Sequence, residues 1–145
     1  MEKYRQIGVW IDYGHAIVIG YDKGNVEIVE TILSPLEKLR REDGEGNDST
    51  KFTPNPEHAS NNEHKKHNIA QNEINEYLKT LEQKLRPYKE LLLFGPGKAK
   101  EQLRNKLQQN KSYDGKWFAV HNSDKMTQNQ LLAYVREFYK KIEVG

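Results

Sequence analysis

Leu91, Leu92, Leu93 and Phe94 are apolar in succession with no polar alternation, the pattern of a short strand covered on both faces. Gly95-Pro96-Gly97 stops that run, and Ala99, Leu103 and Leu107 then recur at helical spacing until about Asn110. A central strand therefore turns sharply into a helix, the kind of junction at which open α/β sheets place ligands. Upstream, three short runs, 7–12, 16–21 and 26–32, are separated by Tyr13-Gly14 and by Asp22-Lys23-Gly24-Asn25. They predict a three-stranded antiparallel meander. Ile69, Ile74, Tyr77, Leu78, Leu81 and Leu85 form a helical stripe that Pro87 ends. Trp117, Phe118, Ala119 and Val120 centre a fifth strand over 116–121. The last helix starts at Thr127, which has capping-box spacing to Gln130, while Met126 and Leu131 are spaced as a hydrophobic staple. Leu131, Leu132, Val135, Phe138, Tyr139 and Ile142 supply its apolar face.

The order is three antiparallel strands, then helix, strand, helix, strand, helix. Alternation of β and α in the second half requires parallel pairing there, with right-handed crossovers. The expected fold is thus α/β, a ribonuclease H-like mixed five-stranded sheet with helices on both faces. At 145 residues the chain reads as one domain, 1–145. Between Ser34 and His67 the periodicity collapses: this stretch has seven acids, six bases, three prolines and few apolar residues beyond Leu36, Leu39 and Phe52. It reads as a long mobile loop.

Composition narrows the chemistry. Cysteine is absent, which removes disulfides and thiolate metal sites and fits a reducing compartment. The N-terminal apolar run is broken by Arg5, Asp12 and His15, so no signal or membrane helix is expected and a cytoplasmic location is. His58, His64 and His67 match no recognised ligand spacing, and neither a metal nor another cofactor is expected. The net charge of +2 conceals an asymmetry, because residues 84–116 carry nine Lys and Arg against three Asp and Glu. The excess surrounds the glycine-proline-glycine corner and the helix after it, a footprint for a phosphate-rich partner. Lys98, Lys100 and Arg104 stand where free helix amides already attract anions, with Gly95 and Gly97 shaping the turn. Lys100 and Arg104, four apart, are expected to act as a surface pair whose reversal weakens binding without lowering stability.

Asp12 before a Tyr-Gly turn, the long polar loop ahead of the first helix, and Gly95-Pro96-Gly97 followed by Lys100 together resemble the middle domain of archaeal and eukaryotic class-1 peptide-chain release factors and of Pelota. The resemblance covers most of the chain and implies a ribosome, ribosomal RNA or tRNA partner. In release factors the loop holds a Gly-Gly-Gln tripeptide that acts on the peptidyl-tRNA ester. Here the matching stretch reads His64-Lys65-Lys66-His67-Asn68-Ile69-Ala70-Gln71. Gln71 is present but no glycine pair precedes it, so the permissive backbone that brings the glutamine to the ester is missing. Peptide release is therefore not expected, and the chain looks closer to Pelota. On the resemblance, Lys65, Lys66, His67 and Gln71 become loop contacts rather than catalytic residues.

Two alternatives share the layout. A metal-dependent ribonuclease H-like nuclease would need clustered carboxylates, for which Asp12, Glu73 or Glu76, and Asp124 are the available residues, though the fourth strand ends without one. A protein-binding or homodimerising domain is the other. GPGKAK is not a nucleotide-binding P-loop, since its glycine spacing is wrong and no Ser or Thr follows a lysine. The leading expectation is a non-catalytic, translation-associated module that binds the ribosome or structured RNA.

Overall fold

The computed structural model describes residues 4–35 and 71–144. The expected mobile loop, with His58, His64, Lys65, Lys66 and His67, lies outside the described residues apart from its first positions. The strands are β1 (Gln6–Ile11), β2 (His15–Asp22), β3 (Asn25–Leu33), β4 (Glu90–Gly95) and β5 (Trp117–Asn122). The described helices are α1 (71–84), α2 (Ala99–Gln108) and α3 (Gln128–Val144), with a single 3-10 turn at Lys111–Tyr113. The sheet order is β3-β2-β1-β4-β5, antiparallel on the β3 side of β1 and parallel on the β4 side. This is the mixed ribonuclease H-like arrangement that the alternation predicts.

The apolar residues of β1 and β4 divide between two cores because strand side chains alternate. Ile7, Val9, Ile11, Leu91 and Leu93 face α1 and α2, where they meet Tyr77, Leu81, Leu103 and Leu107. Trp10, Leu92 and Phe94 face α3 and pack with Leu131, Val135 and Tyr139. Gly8 lies under α3: a Cβ there would fall 2.4 Å from Val135 Cγ2, so the helix sits closer to the sheet than any side chain at Gly8 permits.

β3 carries a feature that its alternation does not reveal. Its register against β2 shifts between Val18 and Ile19, with Ile19 opposite Ile28 and Val18 opposite Glu30. Val29 is the extra residue and is 38% exposed. The bulge turns Val26 and Ile28 towards the α3 core and Ile32 towards the other.

The start of α3 follows the capping box. The Gln130 side chain accepts from the Thr127 amide at 2.9 Å, and the Thr127 hydroxyl accepts from the Gln130 amide at 3.2 Å. Met126 and Leu131 join one cluster, as the staple requires. Ile142 is the exception on the apolar face, 45% exposed.

Candidate nucleic-acid interface

The C-terminal ends of β1, β4 and β5 are bound into one rim. At the end of β1 the Asp12 carboxylate accepts from the amides of Gly14 and His15 at 2.8 and 2.9 Å, closing the turn into β2. Tyr77 of α1 donates to the Asp12 carbonyl at 3.0 Å, and Tyr13 donates to the Gln102 side chain of α2 at 2.9 Å. Trp10 Nε1 reaches the Asp124 carbonyl at 3.2 Å, and the Ser123 amide reaches the Gly95 carbonyl at 3.1 Å. An open depression of about 380 Å³ lies among Pro96, Gly97, Asn122, Ser123 and Asp124.

The corner between β4 and α2 depends on glycine at Gly95. Its φ is +143°, and a Cβ would stand 2.3 Å from the Ile11 carbonyl oxygen, because β1 and β4 converge there. Gly97 also has a positive φ, +66°, but open space around it. Lys98 occupies the N-cap of α2 and is exposed; no side chain caps the helix, and the Lys98 carbonyl accepts from Glu101 and Gln102. Ala99 and Lys100, whose amides open α2, are buried, and the Glu101 and Gln102 amides are used by the Lys98 carbonyl, so the exposed positive group at this terminus is the Lys98 side chain.

The structure separates the residues expected to act together. Lys100 is 1% exposed, and its ammonium donates to the Gly97 carbonyl at 2.6 Å. The expected surface pair of Lys100 and Arg104 is therefore not formed. A lysine one turn into a helix can fold its stem back over the preceding corner, and helical spacing alone does not reveal that choice. Arg104 is half-buried; its guanidinium donates to the Asn105 side chain at 3.3 Å, while its Nε is buried without a hydrogen-bond partner among the described residues. Gln71 is exposed in the first described turn of α1 and donates to Asn75 at 3.4 Å.

The carboxylates of the nuclease reading do not assemble. Asp12 is engaged by backbone amides, Glu76 and Asp124 are exposed, and no group of three or more His, Asp or Glu side chains gathers among the described residues. Among those residues, no helix is long and apolar enough to cross a membrane.

A second cationic group lies at the opposite end of the sheet, where β4 and β5 begin. Lys116 donates to the Tyr88 carbonyl at 2.6 Å and to the Arg86 carbonyl, and stands 4.5 Å from the centre of the Tyr113 ring. Its pKa is held below the ordinary lysine value, first by burial and then by the charges of Lys89 and Arg86. The sequence shows the cations but not this grouping, which joins the segment before β4 to the segment before β5.

No known family profile matches the chain, and no curated protein matches it in sequence. Solved structures do. Pelota of Archaeoglobus fulgidus matches over 99% of this chain and 35% of its own, at 14% identity and TM-score 0.52. The archaeal translation termination factor aRF1 matches over 93% of this chain and 36% of its own, at 12% identity and TM-score 0.53. The chain spans about a third of the length of these two proteins. At these identities the similarity is one of fold, and the fold is the one that the sequence resemblance implies.

Proposed function

We propose that the chain is a non-catalytic, translation-associated module that contacts ribosomal RNA or tRNA. The observation that carries this reading is the sheet and helix arrangement shared, over nearly the whole chain, with segments of Pelota and of an archaeal translation termination factor. The cationic surface supports it. Lys98, exposed at the positive end of α2, forms the contact at the β4–α2 corner, shaped by Gly95 and Gly97, with Arg104 flanking it. Lys100 braces the corner instead of touching the partner. Lys65, Lys66 and His67, outside the described residues, belong to this reading on sequence grounds, as does Gln71.

Co-sedimentation with ribosomes from the protein's own cells, through a cushion at graded salt, tests the reading. The bound fraction is expected to fall steeply with salt, and Lys98→Glu with Arg104→Glu to lower it and flatten the slope. Failure to sediment at any salt concentration overturns the reading.

A further inference from the structure

The cations of residues 84–116 do not form one surface. β4 carries the chain about 17 Å from Glu90 to Gly95. Lys98 therefore lies at one end of the sheet, and Arg86, Lys89 and Lys116 at the other. Lys116 is consumed internally by carbonyl oxygens and the Tyr113 ring. Arg86 and Lys89 are exposed, and Arg5 joins them from the start of β1 with its side chain 74% exposed. Glu90, at the start of β4, is already engaged by Arg5 at 3.5 Å and by Gln6 at 3.1 Å. Lys89 and Arg86 both act on Lys116 as like charges, and a polyanion relieves such repulsion.

An open depression of about 700 Å³ has Arg5, Pro87, Lys89, Glu90, Gly115 and Trp117 in its lining, and exposed Arg86 immediately precedes Pro87. Trp117 is 42% exposed, whereas Trp10 is 2% exposed. The Trp117 ring rests against Phe138, with ring centres 5.9 Å apart and planes inclined by 34°. A supported indole beside cations offers a stacking surface next to phosphate-binding charge, the combination that single-stranded nucleic acids occupy.

We propose that this end of the sheet binds a single-stranded nucleic-acid segment, with phosphates at Arg5, Arg86 and Lys89 and a base stacked on Trp117. The proposal rests on the RNA-binding reading above but concerns a different surface. Phosphate contacts supply the affinity and its salt dependence, and stacking tolerates any base, so recognition here is independent of sequence.

Titration of the protein into a fluorescein-labelled uridylate decamer, followed by fluorescence anisotropy, tests it for every variant, and in the parent chain the emission of exposed Trp117 is a second readout because Trp10 is buried. Quenching at low salt is expected, with affinity falling as salt rises. A deoxythymidylate decamer shares the phosphate and base chemistry and is expected to bind as well. Arg86→Glu with Lys89→Glu should weaken binding about tenfold or more and reduce the salt slope by roughly 0.7 for each phosphate that is no longer neutralised. Trp117→Ala should weaken it about fivefold or more, whereas Trp117→Tyr, which keeps a ring against Phe138, should retain most of the affinity. Circular dichroism melting of each variant checks that it is folded.

Unchanged affinity in the folded charge-reversal variant overturns the proposal, as does equal displacement of the decamer by a decaglutamate peptide. If ribosomes bind and neither decamer does, the proposal falls and the translation reading stands. If decamer binding responds to Lys98→Glu with Arg104→Glu and not to Arg86→Glu with Lys89→Glu, RNA binding stands and this site falls.

Discussion

The Lys100 ammonium donates a 2.6 Å hydrogen bond to the carbonyl oxygen of Gly97, three residues earlier, and closes the glycine-proline-glycine corner from within. A cation near the positive end of a helix is locally unfavourable by about 0.3–1 kcal/mol. The carbonyl and the packing of the lysine stem offset that cost, and the side chain ends 1% exposed. Lys100 thus holds the corner in which Lys98 is presented.

Charge reversal should therefore act differently on stability at these two lysines. Lys100→Glu buries a carboxylate against the Gly97 carbonyl and should cost about 3 kcal/mol or more. Lys98→Glu, exposed at the N-cap, should stay within about 0.5 kcal/mol of the parent. Urea denaturation of both variants measures the contrast; equal midpoints would show that Lys100 does not brace the corner.

Gly95→Ala and Gly97→Ala form a second contrast. Both residues have positive φ, but only at Gly95 would the new Cβ meet backbone, 2.3 Å from the Ile11 oxygen. We expect Gly97→Ala to cost about 1–2 kcal/mol from backbone strain alone and Gly95→Ala clearly more, because β1 and β4 must separate. Thermal denaturation midpoints give the order.

Thr127→Ala should destabilise the protein by about 0.5–2 kcal/mol through loss of the bond from the Gln130 amide to the threonine hydroxyl. Thr127→Ser retains that acceptor and should recover most of the loss. Chemical denaturation of the two variants in parallel is the check.

Stability should fall as pH rises above about 10. Tyr77 and Tyr139 are 1% and 0% exposed, and burial first, then the charges of Asp12 and Glu90, raises their pKa values well above the ordinary 10.0. A group whose folded pKa is raised binds its proton more tightly when folded. Its contribution is complete below the unfolded pKa and is lost as pH climbs through and beyond it. Denaturant midpoints at pH 9 and pH 11, with phenolate absorbance followed alongside, test this; release of these tyrosine protons near pH 10 without unfolding would contradict it.

The sequence alone determined the elements and their order. Leu91 to Phe94, the stripe of Tyr77, Leu81 and Leu85, and the Thr127 capping box are local signals, written in spacing that one strand or helix must satisfy. The alternation of β and α then allows few topologies, and the observed sheet order is among them. Tertiary structure decided what local spacing does not encode. The bulge at Val29 follows from two cores competing for the alternate faces of β3. Whether Lys100 faces solvent or the corner depends on space left by β1 and β4, which are distant in sequence from each other. The cationic excess of residues 84–116, one patch when read along the chain, becomes two separate groups of charge because a strand carries its ends apart. Lys89 then stands beside Trp117 only because β4 and β5 run parallel and begin at the same end of the sheet.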